Sequence, residues 1–146
     1  MLANPQIEER FVRDFTVEGG DFYNAGRVST EIKAILRQIG LDSATVRRLT
    51  IAAYEAEMNV VMYARQGRVS LAVTAAGVQL RVRDQGPGIP DIALAMQEGY
   101  STATEAMRAM GFGAGMGLPN IKRNSDRFDI RSTVGSGTEL EIEVRV

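Results

Sequence analysis

Cysteine and histidine are both absent from this 146-residue chain. Without cysteine the chain has no disulfide framework and no thiolate metal site. Without histidine it lacks the usual general base, the commonest metal ligand and the acceptor that phosphohistidine chemistry needs. A metal bound by this chain is therefore expected to be a hard cation with oxygen ligands, such as magnesium or calcium.

Long hydrophobic runs and blocks of like charge are also missing. No apolar run approaches the roughly 18 residues that suggest a membrane-spanning helix, and the first residues show no signal-peptide pattern. The 17 basic and 18 acidic residues give a net charge of −1 without a basic block, so direct binding to nucleic acid has little support. These features predict one cytoplasmic domain over residues 1–146 that binds neither nucleic acid nor a membrane.

Five strands are predicted, most of them from alternating apolar residues. Strict alternation appears in 69–73, 78–82 and 139–146, and Phe11, Phe15 and Val17 share one side of the first segment, which places these side chains on one face of a sheet. The segments are residues 10–17, 69–73, 78–82, 128–133 and 139–146.

Apolar residues at helical spacing predict helices between the strands. The first helix is expected after Asp21, a possible N-cap, and it ends at Gly40. A second runs from Asp42-Ser43 to about Ala64, and others are predicted over 91–97 and Leu118–Arg127. We therefore predict an α/β (α+β) two-layer sandwich, with helices covering one face of a mixed, mostly antiparallel sheet.

The first motif with chemical potential is Glu55-Ala56-Glu57-Met58-Asn59, within the second helix. Glu55 and Asn59 are four residues apart and share a helix face. An asparagine oxygen is a good magnesium ligand, and a glutamate one turn earlier can polarise a nucleophile or a water. The alternative is an ordinary solvated polar face.

The second motif is Asp84-Gln85-Gly86-Pro87-Gly88-Ile89. Asp84 continues the inward register of the preceding strand, so its carboxylate is expected on the core side, where it needs a partner such as an adenine amino group. Gly86 and Gly88 would let the backbone approach a base or a phosphate closely. Alternatively, Asp84 simply begins a turn.

The third motif is a glycine-rich run with glycines at every second position. Periodicity fails from Gly99 to Gly117, which predicts a long functional loop. The backbone N–H groups of such a run can surround an anion, and a helix with Pro119 in its first turn follows. A flexible linker is the alternative. The run is Gly111-Phe112-Gly113-Ala114-Gly115-Met116-Gly117-Leu118.

The fourth motif is Gly135-Ser136-Gly137-Thr138, between the last two predicted strands. As a hairpin turn it needs no function. The Thr138 hydroxyl is nevertheless placed where it can reach a water bound to adenine.

The order of these four motifs resembles the ATPase superfamily of DNA gyrase, the ninety-kilodalton heat-shock chaperone, histidine kinases and MutL. The resemblance covers about residues 10–146. Within that superfamily the chain is similar to stand-alone anti-sigma factors that are serine/threonine kinases, and the run from Gly115 to Arg123 is similar to stress-response switch kinases. The resemblance implies a Bergerat-type ATP-binding fold, with residues about 98–117 as a lid over ATP and magnesium.

The resemblance also implies roles for individual residues. Asn59 would coordinate magnesium, and Glu55 would be the general base that takes a proton from a substrate serine. Asp84 would bind the adenine amino group, with Gly86 and Gly88 shaping the base pocket and Thr138 near the base through water. Phosphate contacts would come from the lid and the start of the next helix. They are Gly111, Phe112, Gly113, Ala114, Gly115, Met116, Gly117 and Leu118.

Three further lid residues are expected at the phosphates on chemical grounds alone. Ser101 and Thr102 offer hydroxyls, and Arg108 offers a positive charge, although no motif supports Arg108. The chain also departs from the family pattern, because Tyr63 occupies a position where many relatives carry histidine. Glu57, a second acid close to Glu55, is expected on a different helix face.

Several functions fit this resemblance. The first is a kinase that phosphorylates a serine of a STAS-domain antagonist and switches between that antagonist and a sigma factor or another effector. The second is a non-catalytic, ATP-gated binding module. A detached histidine-kinase-like catalytic domain would need a separate phosphoacceptor chain, and an ATP hydrolase with mechanical output would need a transducer domain. Relatives often form homodimers through the sheet edge or the first helix.

Overall fold

A five-stranded antiparallel sheet forms one layer of the protein in the computed structural model, which describes residues 9–109 and 116–146. The strand order is β1-β2-β3-β5-β4. The strands are β1 (Glu9–Glu18), β2 (Gln66–Thr74), β3 (Gly77–Asp84), β4 (Arg127–Thr133) and β5 (Gly137–Arg145).

Helices form the second layer. They are α1 (Arg27–Ile39), α2 (Ser43–Tyr63), α3 (Ile92–Ala95), α4 (Glu105–Ala109) and α5 (Gly117–Arg123). This α+β arrangement confirms the predicted fold class, with one correction: every pairing between the described strands is antiparallel, so the sheet is not mixed. For β1 and β2 the reason is that α1 and α2 follow each other through a short turn, which returns the chain to the end of the sheet where β1 finished.

The core lies between the sheet and helices α1, α2 and α5. The inward register of β2 and β3 is the predicted one, since Leu71 and Leu80 are fully buried and face each other across the two strands. Ile32 of α1, Leu49 of α2 and Ile121 of α5 are equally buried on the helical side. The apolar faces of the helices therefore pack against the apolar face of the sheet and form one core.

The outer face of the sheet carries rows of oppositely charged side chains. Arg68 pairs with Asp14 at 2.8 Å, and Arg131 pairs with Glu139 at 2.8 Å. These pairs are exposed, so each contributes little to stability. Their effect is to occupy the open sheet face with matched charges.

The N-terminus of α1 is capped by a carboxylate from α2. The Glu57 side chain is buried, and it accepts hydrogen bonds from the backbone N–H groups of Gly26 (3.0 Å), Val28 (3.2 Å) and Ser29 (2.9 Å). The prediction that Asp21 caps this helix is wrong: Asp21 bonds Asn24 within a preceding turn, and α1 begins only at Arg27. The cap comes from 28 or more residues away, beyond the reach of local sequence rules.

Replacing Glu57 by glutamine is expected to lower the free energy of unfolding by about 3 kcal/mol. The amide keeps one acceptor but turns an NH₂ group toward backbone donors that are buried and lose their partner. Thermal or urea denaturation measures the change. Glu31→Gln, on the capped helix α1, removes an exposed pair with Arg13, so its effect should stay below about 1 kcal/mol. Equal effects of the two substitutions would contradict the assignment.

Two predicted boundaries differ from the structure. Helix α5 ends at Arg123, not Arg127, because Asp126 already donates its N–H to Glu143 of β5 and leads the chain into β4. The segment predicted as a loop from Gly99 to Gly117 contains the short helix α4.

Among the residues that the structure describes, no helix has the length and apolar character needed to cross a membrane.

Candidate functional site

Helix α2 presents Glu55 and Asn59 to a cavity. Its start is fixed by Asp42, which accepts the Thr45 N–H at 3.1 Å and the Thr45 hydroxyl at 2.6 Å. Ala52, Ala53, Ala56 and Val60 bury one side of the helix in the core. Glu55 and Asn59, one turn apart, are partly buried on the side that lines the cavity.

The cavity has a volume of about 580 Å³ and lies between α2, α5, the strand ends and the lid segment. It brings together most of the predicted site residues that the structure describes. They are Glu55, Asn59, Asp84, Gly88, Ser101, Thr102, Met116, Gly117, Leu118 and Thr138.

Asp84, the last residue of β3, lines this cavity. Its Oδ1 accepts the backbone N–H of Thr138 at 3.1 Å. Burial raises the pKa of Asp84 above its ordinary value, while hydrogen bonds from the N–H groups of Thr138 and Gly86 oppose the shift. The apolar residues Val82, Ile89 and Leu140 line the same cavity, and Val82 and Leu140 are paired across β3 and β5.

Two glycines allow the loops around Asp84 to pack closely. Gly88 has a φ of +78°, and a Cβ there would lie 2.4 Å from the Thr133 carbonyl oxygen. Gly137 has a φ of +144°, and a Cβ there would lie 2.0 Å from the Asp84 carbonyl oxygen. Both contacts are far shorter than a carbon–oxygen contact allows, so these positions require glycine. The close approach is to the protein's own backbone.

Ser132 does not line the cavity but contacts two residues that do, and the sequence analysis missed it. Its hydroxyl accepts the Ile89 N–H at 2.7 Å and lies 2.8 Å from the Thr138 hydroxyl. It therefore joins the loop after β3 to the hairpin between β4 and β5. No sequence signal marked it, because an alternating strand pattern does not say which polar residue meets a distant loop.

Asn120 of α5 is the second missed residue, and it lines the cavity beside Glu55. Its Nδ2 donates to the Glu55 Oε2 at 2.7 Å. The position of Asn120, three residues after the last glycine of the third motif, was the only available signal.

Some predicted site residues are placed elsewhere or lie outside the described residues. Gly86 does not line the cavity: a Cβ there would be 3.0 Å from Asp84 Oδ1 and 3.3 Å from Ala64. Arg108 is exposed on α4 and is not among the lining residues. Gly111, Phe112, Gly113, Ala114 and Gly115 fall outside the described residues.

The side-chain oxygens near α2 suit a hard cation that takes its remaining ligands from water and phosphate. Asn59 and Glu55 offer oxygens to the cavity, and a Cβ on Gly117 would lie 3.4 Å from the Asn59 Oδ1, so glycine there leaves the amide accessible. Residues 9–109 and 116–146 contain no group of three or more acidic side chains arranged to hold a metal ion. Magnesium is typically held by one or two protein oxygens together with waters and phosphates, which fits this donor set.

Comparison with known proteins places the chain in a family. The model of the histidine kinase-like ATPase domain matches residues 23–144. The serine/threonine-protein kinase RsbT of Bacillus subtilis is 34% identical over 111 residues, which is 73% of this chain and 77% of RsbT. The anti-sigma F factor of Caldanaerobacter subterraneus is 27% identical over 120 residues, which is 79% of this chain and 80% of that protein. The chain belongs to the histidine kinase-like ATPase domain family.

A solved structure agrees at the level of the fold. The crystal structure of the RsbU and RsbW domains of Rv1364c from Mycobacterium tuberculosis superposes with a TM-score of 0.59 at 17% identity. The match covers 91% of this chain and 32% of that longer chain. It supports the arrangement of the sheet and helices described above.

Proposed function

We propose that this protein is a serine/threonine kinase that uses ATP and magnesium to phosphorylate a serine of a STAS-domain antagonist, and that it acts by partner switching. The observation that carries the proposal is the placement of Glu55, Asn59 and Asp84 in one cavity of about 580 Å³. The relatives named as a serine/threonine kinase and as anti-sigma factors support a kinase reaction and a regulatory role.

The cavity lining around β3 and β5 suits an adenine ring. Val82, Ile89 and Leu140 offer apolar surface for a flat heterocycle, and the Asp84 carboxylate offers an acceptor to its amino group. The Thr138 N–H occupies Oδ1, so it orients the carboxylate before any ligand arrives. A charged acceptor in a partly desolvated position favours a base that carries a donor there.

The charge of the triphosphate explains why magnesium is expected. Among the described residues that line the cavity there are acids, including Glu55 and Asp84, but no lysine or arginine. A bound triphosphate therefore depends on a cation and on backbone N–H groups for compensation. Magnesium bound at Asn59 would neutralise phosphate charge and fix the phosphate geometry.

Glu55 is proposed to accept the proton of the substrate serine. As the serine oxygen forms its bond to the γ-phosphorus, the bond from that phosphorus to the β–γ bridging oxygen breaks, and ADP leaves with the electron pair. The serine proton passes to the Glu55 carboxylate. Since phosphoryl transfer depends mainly on positioning and charge stabilisation, the base must be held where the hydroxyl arrives.

Transfer of labelled γ-phosphate from ATP with magnesium to the small STAS-domain proteins of the same organism tests this function. The proposal expects phosphoserine on at least one of them. ATP binding without transfer to any of them would overturn the kinase proposal in favour of an ATP-gated binding module.

Replacing Asn59 by alanine is expected to weaken ATP binding and to abolish its response to magnesium. In the wild type, chelating magnesium should raise the Kd for ATP by about tenfold or more, because no lining cation among the described residues replaces it. In Asn59→Ala the ratio of Kd values with and without magnesium should approach one. Asn24→Ala, in the exposed turn before α1, is the control. A full magnesium response in Asn59→Ala would refute the ligand role.

A further inference from the structure

A series of polar contacts leads from the Glu55 carboxylate to the surface, and the proposed reaction does not yet assign a role to it. Asn120 donates its Nδ2 hydrogen to Glu55 Oε2 at 2.7 Å. Arg123, one turn further along α5, donates to Asn120 Oδ1 at 3.0 Å. Arg123 also pairs with Glu98, the first residue of the lid segment.

Arg123 determines which way the Asn120 amide faces. A guanidinium group only donates hydrogen bonds, so the atom of Asn120 that meets it must be the oxygen. The NH₂ group is then directed at Glu55, and it can only donate. The orientation of this amide therefore follows from its neighbours, with no ambiguity between oxygen and nitrogen.

The position of Asn120 leaves Glu55 suited to its proposed role. One carboxylate oxygen, Oε2, is engaged by the amide, while the Glu55 side chain also lines the cavity. A carboxylate fixed through one oxygen presents the other in a defined direction and loses less entropy when a serine hydroxyl arrives. Asn120 is itself fixed, because α5 is anchored by Ile121 in the core.

We propose that Asn120, oriented by Arg123, is a positioning residue for Glu55 in phosphoryl transfer. This inference rests on the proposed kinase function. The outer link, between Arg123 and Glu98, is an exposed ion pair that adds little stability by itself. Its contribution is to hold the guanidinium in place, and it connects the start of the lid segment to the proposed base.

The test is steady-state phosphoryl transfer by Asn120→Leu, with the STAS-domain substrate identified for the wild type. Leucine has the branched shape of asparagine and forms no hydrogen bond. We expect kcat to fall by about tenfold, because one orienting hydrogen bond to Glu55 is lost. The KM for ATP should stay unchanged. Asn124→Leu is the matched control, because the Asn124 amide donates to the backbone carbonyl oxygen of Asn120 and the substitution leaves the Asn120 side chain that meets Glu55 in place.

A double-mutant cycle separates positioning from a general structural effect. If Asn120 acts through Glu55, adding Asn120→Leu to Glu55→Gln should leave the residual rate of the single Glu55→Gln variant unchanged. A further tenfold loss in that background, or a wild-type kcat in Asn120→Leu, would overturn the proposal while the kinase function stands. A wild type that transfers no phosphate would overturn both.

Arg123→Leu provides the test if Asn120→Leu fails to fold. Arg123 is largely exposed, and its removal frees the amide to rotate without touching Glu55. We expect a severalfold lower kcat with KM for ATP unchanged. A kcat equal to that of the wild type would exclude a role for Arg123 in orienting Asn120.

Discussion

Replacing Glu55 by glutamine is expected to lower the rate of phosphoryl transfer by about 100- to 10,000-fold, the usual contribution of a general base. The affinity for ATP should remain within about twofold of the wild type. The physical reason is that glutamine cannot accept a proton at working pH but has the size of glutamate. Its Oε1 can still accept the Asn120 amide hydrogen, so the hydrogen bond between α2 and α5 survives.

Transfer kinetics and ATP calorimetry on the same preparations measure the two quantities separately. Glu31→Gln, on the exposed face of α1, is the control for loss of a carboxylate. Transfer by Glu55→Gln at the wild-type rate would remove Glu55 from the reaction. A parallel loss of ATP affinity would instead make it a binding residue.

Replacing Asp84 by asparagine is expected to raise the Kd for ATP by about tenfold or more, because the exchange removes a charged acceptor. An asparagine oxygen can still accept the Thr138 N–H, so the contact between β3 and β5 is kept. The NH₂ group would replace the second oxygen and oppose the donor of the adenine amino group. Asp129→Asn on the outer sheet face, where the carboxylate pairs with Arg127, is the control. Unchanged affinity in Asp84→Asn would contradict the adenine assignment.

The pH dependence of ATP binding tests the same residue. Burial raises the pKa of Asp84, so its carboxyl takes up a proton at a higher pH than an ordinary aspartate. The protonated form is a weaker acceptor, and the affinity of the wild type should fall as the pH drops through that raised pKa. Asp84→Asn should lack this decline, whereas titration of the ATP phosphates affects both proteins equally. Identical pH profiles would show that the Asp84 carboxylate does not contact the base.

Local patterns in the sequence predicted most of the fold. Alternation in 69–73 and 78–82 gave the correct inward faces of β2 and β3, because burial on one side of a sheet imposes a period of two. The cap at Asp42 was predicted because it is encoded within three residues. The start of α1 was not, because its cap is Glu57 on another helix.

The candidate site was predicted only in part, for a related reason. Glu55, Asn59 and Asp84 belong to motifs whose spacing is visible along the chain, and the structure places all three in one cavity. Ser132 and Asn120 act through contacts with residues 43 and 65 positions away. Gly88 and Gly137 illustrate a third case, because both belong to predicted motifs but the reason for glycine is visible only in the structure. A side chain at Gly88 would collide with the Thr133 carbonyl, and one at Gly137 with the Asp84 carbonyl.

A structure of the protein with magnesium and a non-hydrolysable ATP analogue tests the central claim most directly. The account predicts the adenine amino group at Asp84, the metal on the Asn59 oxygen, and the γ-phosphate on the side of the cavity where Glu55 and Asn120 meet. A nucleotide bound outside this cavity, or bound within it with its base at Glu55 and its phosphates at Asp84, would contradict the account.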